Sequence, residues 1–136
     1  MASHRTYAEI EVGAVFPETP TVFDVTPEVV AAFRAATLDE PQDVGEGTPA
    51  PSLLAAVYLI EALAARGSPP GGIHAKQSFH FARPIVVGDR LRTQARIVDK
   101  YIRKDRPYVV STFETRNGAD EIVATGTITS IWGKDP

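Results

Sequence analysis

The sequence predicts an α+β chain in which a curved antiparallel β-sheet wraps around one long buried α-helix. Three observations carry this. Residues 53–65, LLAAVYLIEALAA, are apolar on every side except at Tyr58 and Glu61, whereas a surface helix carries a polar stripe. From Leu91 onward, apolar and polar residues alternate through successive segments separated by turn residues, the period-two pattern of half-buried strands. The 73–132 stretch contains no helical pattern, which argues against a ferredoxin-like sandwich with helices between its strand pairs. A sheet curved around the apolar helix buries both apolar surfaces at once.

In chain order, TVFDV (21–25) reads as a short strand. Thr26 can cap the helix that follows, because its hydroxyl accepts from a free amide. Pro27 suits the first helical position and Glu28 the positive end of the helix dipole. Val29, Val30, Phe33 and Ala36 or Thr37 recur at helical spacing, so the first helix is expected over 27–37. LDEPQDVGEGTPAP (38–51) and GSPPGG (67–72) are loops framing the apolar helix, with Ser52 as its N-cap and Gly67 as its stop. Residues 73–82 alternate loosely, and Gly88-Asp89 is a turn. Leu91, Thr93, Ala95 and Ile97 share one strand face. Asp105-Arg106-Pro107 breaks the run. Val109 to Thr115 form a second long strand, Asn117-Gly118 a hairpin turn, and Ile122 to Ser130 a third strand ending at Trp132. There is no internal repeat, so 1–136 reads as a single domain with a hot-dog arrangement.

Composition narrows the function. The chain has no cysteine, which excludes disulfides, thiolate metal sites and cysteine nucleophiles. It has three histidines, His4, His74 and His80, too few for a multi-histidine zinc site, while composition leaves mixed carboxylate–histidine ligation open. Fourteen scattered bases and a net charge of −3 give nucleic acid no electrostatic footprint. No apolar run reaches the roughly 18–20 residues of a membrane span, and the first residues, MASHRTYAEIEV, lack a signal-peptide core. A cytoplasmic protein is the expectation, with no metal or redox cofactor.

IHAKQSFHFARPIVVGDRLRTQARIVDKY (73–101), followed by VVSTFETRNGADEIVATGTITSIW, resembles the MaoC-like hydratase/dehydratase family. The likeness is to its subgroup with a fatty-acid-synthase-type dehydratase N-terminal domain. The matching features are His74, Gln77, Arg83, Pro84, Gly88 and Asp89. FRAATLDEP (33–41) resembles the family's approach to its active-site loop, and PAPSLLAAVYL (49–59) the start of its hot-dog helix. The resemblance implies binding of acyl thioesters of coenzyme A or acyl-carrier protein, and hydration of an enoyl thioester or its reverse. In the family an aspartate and a histidine five residues apart hold one water. Here Asp39 aligns with the aspartate, but Glu40, Pro41, Gln42 and Asp43 follow, and no histidine does. The resemblance therefore implies a homodimer, or a heterodimer with a catalytically complete hydratase subunit.

Asp39, His74 and Glu61 are the catalytic candidates. Glu61 is a carboxylate in an apolar helix, where burial without a partner is costly; it could serve a thioesterase, or pair with Arg66 or Arg83, or reach solvent. His74 and His80 share strand parity and so one strand face, where they would meet a ligand tunnel or an interface, or simply decorate the sheet. Ser52, Leu53 and Leu54 could offer helix-start amides to a thioester carbonyl, and Tyr58 could line the pocket; with His80 these are the substrate-binding candidates. Arg103, Lys104 and Arg106 form a basic cluster that could meet phosphates or remain a solvated turn. The rival functions are a hydratase or dehydratase subunit, an acyl-coenzyme A thioesterase, and a non-catalytic acyl-thioester binding protein.

Overall fold

A computed structural model describes residues 4–37 and 43–134. Five strands, β1 (Val15–Asp24), β2 (Ile73–Phe81), β3 (Arg90–Arg103), β4 (Arg106–Arg116) and β5 (Ile122–Ile131), form one antiparallel sheet in the order β1-β3-β4-β5-β2. β1 runs six residues earlier than its apolar pattern, through Pro17 and Pro20. Both prolines are tolerated because β1 is an edge strand, where a missing N–H breaks no ladder.

The inward face follows the alternation. Leu91, Thr93, Ala95 and Ile97 on β3 are buried, and they stand beside Val109, Ser111, Phe113 and Thr115 of β4. α1 (Pro27–Ala36) begins as its cap residues dictate, with Val29 N–H donating to Thr26 Oγ1 at 3.1 Å.

The apolar helix departs from expectation in two ways. It is divided into a 3-10 turn (Ser52–Leu54), α2 (Ala55–Tyr58) and α3 (Ile60–Ala64), and Pro51, not Ser52, takes the cap position. Its burial is also one-sided. Leu54, Ala55, Tyr58, Leu59 and Ala62 are buried, but Leu53 is 61%, Val57 40% and Ile60 61% exposed. These three fall at i, i+4 and i+7, one stripe of the helix. The sheet curves around only one flank, so the opposite flank stays apolar and open. Gly67 ends the helix at φ +75°, as its position predicts.

Two features close the end of the sheet that holds Trp132. Arg66 turns into the core. Its guanidinium donates to Ser111 Oγ at 3.0 Å and Ser130 Oγ at 3.3 Å and lies 5.5 Å from the Trp132 ring. The N-terminal segment then covers it: Arg5 donates to the carbonyls of Ala65 and Arg66, and Trp132 Nε1 donates to Arg5 O at 2.8 Å. At the same end β3 and β4 join in a two-residue turn, with Lys104 at φ +50° and Asp105 at φ +62°. Such primed hairpin turns favour glycine, asparagine and aspartate; Lys104, which has none of their tolerance, is strained there by about 1–2 kcal/mol.

Candidate functional site

A slot of about 240 Å³ opens between β1 and the helical segment, lined by Thr21, Val22, Phe23, Val57, Tyr58, Ile60 and Glu61. Its walls are apolar and Glu61 stands exposed at its rim. Phe23 and Tyr58 meet at a ring-centroid distance of 6.1 Å. Tyr58 is buried, and desolvation pushes its hydroxyl up to about 12, a shift that a hydrogen bond with Thr115 partly offsets. Thr115 Oγ1 in turn lies 2.7 Å from Thr93 Oγ1. A neutral chain of three hydroxyls thus runs from the slot into the sheet. Thr93 and Thr115 were visible in the sequence as polar residues on an apolar strand face, a signal that the period-two reading alone passes over.

Tyr58→Phe tests that chain. It removes one hydroxyl but leaves Thr93 and Thr115 bonded to each other, so the expected loss is about 0.5–1.5 kcal/mol of stability, read from the denaturant midpoint. The sign of the pH dependence follows from the raised hydroxyl. The unfolded tyrosine ionises near 10 and the folded one near 12, so Tyr58's contribution is complete below pH 10 and is lost as pH rises toward 12.

The other candidates are dispersed. Ser52 and Leu53 occupy the exposed first turn, while Leu54 is fully buried and its N–H is committed to Pro51 O at 3.0 Å. Neither expected partner of Glu61 is available to it: Arg66 binds Ser111 and Ser130, and Arg83 binds Glu121 at 2.8 Å. Asp39 lies outside the described residues.

His74 and His80 are both exposed on β2, at the opposite edge of the sheet from β1 and the slot. They do not share a face. A bulge between His74 and Lys76 shifts the pairing by one residue, and a one-residue slip reverses every side chain beyond it. His74 lies opposite Ser130, whose hydroxyl is buried on the inner side; His80 lies opposite Thr125 and lines the outer surface.

That outer surface holds a larger concavity, about 710 Å³. Its charges already satisfy each other: Arg92 pairs with Asp120 at 2.9 Å and Arg116 with Glu114 at 2.6 Å, while Arg96 donates to Gly13 O. The smaller slot is the better candidate, since ligand sites combine apolar walls with a few placed polar groups. Among the described residues no three His, Asp or Glu side chains converge to hold a metal, and no helix is long and apolar enough to cross a membrane.

The fold matches solved structures along nearly its whole length. An R-hydratase, PhaJ1 from Pseudomonas aeruginosa, superposes with a TM-score of 0.77 at 20% identity, over 96% of this chain and 86% of that one. A MaoC-like dehydratase from Rhodospirillum rubrum gives 0.76 at 21% identity, over 95% and 97%. The HadBC (3R-hydroxyacyl-ACP dehydratase) complex from Mycobacterium tuberculosis gives 0.67 at 20% identity, over 88% and 96%. At these identities the likeness establishes the hot-dog fold. No protein of curated function matches the sequence. The profile described as FAS1-like, dehydratase domain region, matches residues 11–126, and by that match the chain belongs to the MaoC-like, hot-dog dehydratase family.

Proposed function

We propose that this chain is a subunit of an enoyl-thioester hydratase or dehydratase, holding the acyl group in the slot between β1 and the helix and working as a dimer. The observation that carries the reading is the separation within one protomer. The apolar slot with Tyr58 lies at the β1 side, while both sheet histidines lie on the edge strand β2, exposed along nearly all its length. An exposed edge invites pairing, and β2 is the edge along which a second subunit would join the sheet. The missing histidine after Asp39 favours a partner that carries a complete acid–base pair.

The test uses purified protein and crotonyl-coenzyme A. A rise in melting temperature with ligand reads binding, loss of enoyl absorbance reads hydration, and free thiol reads thioester cleavage. The expected result is stabilisation without turnover in either channel. Hydration by the chain alone would remove the need for a complete partner. Thiol release lost in Glu61→Gln would replace the reading with a thioesterase, which the position of Glu61 at the slot rim makes the second choice. No stabilisation would sink the thioester site altogether.

A further inference from the structure

The outer face of the sheet carries an apolar row at the end that holds the β3–β4 turn. Tyr101 of β3 pairs with Tyr108 of β4, Tyr108 with Ile131 of β5, and Ile131 with Ile73 of β2. Directly paired residues share a face, and the buried neighbours Val109 and Ser130 make it the outer one. The two tyrosine rings stack at 5.1 Å and 11°. Tyr101 is 37% and Ile73 53% exposed. Three strand spacings give a bar about 14 Å long. Exposed apolar surface that is contiguous in this way marks a contact site.

Bases flank the bar. Two residues beyond the tyrosine pair, and on the same face by alternation, Arg103 stands directly opposite Arg106. Like charges in that arrangement repel, and neither arginine forms an ion pair or side-chain hydrogen bond among the described residues. Lys104 lies in the turn between them, and Lys76 stands in the adjoining row of β2, opposite Thr129. Against these bases stand Asp99, opposite Val110, and Asp105. The surroundings of the bar are thus locally positive on a chain whose net charge is −3.

We infer that this face attaches the protein to a membrane surface bearing anionic lipids, with the bar at the acyl boundary and the opposed arginines on lipid phosphates. Neither the slot nor the outer concavity includes these residues, so a small ligand finds no walls there. A second copy brings the same excess of bases and no acidic complement. A bar one residue wide falls short of the roughly 800 Å² a side of a standard protein interface. A lipid interface needs neither walls nor matched shape. It takes apolar atoms and tyrosine rings below the head groups and bases level with them, and a phosphate between Arg103 and Arg106 relieves their repulsion. The contact is peripheral and leaves the β2 edge open, since strand pairing proceeds in the plane of the sheet. It does not depend on the thioester reading.

The test floats the full chain with phosphatidylcholine vesicles, with and without phosphatidylglycerol, at rising salt. Two variants run beside it, Arg103→Gln/Lys104→Gln/Arg106→Gln and Ile73→Ser/Tyr101→Ser. All five positions are exposed, so both variants keep the fold, which their melting temperatures check. The expected result is attachment only where phosphatidylglycerol is present, and partitioning weakened about tenfold or more in the base variant. The apolar variant should also bind more weakly, and it should detach at a salt concentration that the wild type withstands. No attachment by the wild type overturns the inference, as does equal attachment by either variant. Attachment abolished by inorganic phosphate, but not by chloride of the same ionic strength, would replace the membrane with a free-phosphate site. Self-association that Ile73→Ser/Tyr101→Ser loses, without vesicle binding, would make the face an interface between copies instead.

Discussion

Arg66→Ala is expected to destabilise the protein by about 3–5 kcal/mol, read as a fall in the denaturant midpoint with an unchanged slope. Arg66 is 6% exposed and is held by the hydroxyls of Ser111 and Ser130 and the Leu63 carbonyl, with no ion pair among the described residues. Burial lowers its guanidinium to about 10, so it remains a cation at neutral pH. Truncation leaves a void beneath Trp132 and removes the donor from the buried hydroxyls of Ser111 and Ser130. Unsatisfied polar groups cost about 1–3 kcal/mol each, and core voids add to that. The cation is itself expensive to bury. Arg66→Met combined with Ser111→Ala and Ser130→Ala removes charge and hydroxyls together, and it should recover most of the loss or exceed wild-type stability. If the triple variant is no better than Arg66→Ala, the arginine supplies more than shape and hydrogen bonds.

Gly126→Ala is the second large effect, about 3 kcal/mol. Gly126 lies on β5 opposite Phe79 of β2 and Phe113 of β4. A methyl group there would run into the Ser78 carbonyl and the edge of the Phe113 ring. The ring could shift, although it already meets Phe79 edge-on at 5.7 Å; the β2 backbone could not shift without breaking its ladder to β5. Overpacking of this kind typically costs 1–3 kcal/mol. The expected signature is loss of amide-exchange protection in β2 before β3 and β4. Phe113→Leu should not rescue it, because the Ser78 carbonyl remains. Unchanged protection in β2 would mean that the two strands can separate without penalty.

The inner faces of β3 and β4 were legible because alternation survives wherever pairing is regular: Leu91 to Ile97 and Val109 to Thr115 are buried where parity places them. Parity failed at β2, where a bulge between His74 and Lys76 separates two histidines that counting puts together. Nothing in IHAKQSF marks that bulge; it is a property of the pairing with β5. The helical segment misled for a related reason. Apolarity at Leu53, Val57 and Ile60 says that these residues avoid water, not which surface covers them, and within one protomer no surface does. The slot residue Tyr58 was legible as the amphipathic exception in an apolar run. Arg66 was not, since an arginine at a helix end ordinarily turns outward.

The clamp between Trp132 and Arg5 has a consequence for how the chain reaches this state. Its two members are separated by 127 positions, and β1 must wait for β3, which it pairs with in the sheet. Closing such long loops costs entropy before any contact rewards it. During synthesis the segment around Arg5 therefore emerges with no surface to join. The base of the core seals only once Trp132 is available to Arg5, so the seal should form in a late concerted step, rather than strand by strand as the chain appears.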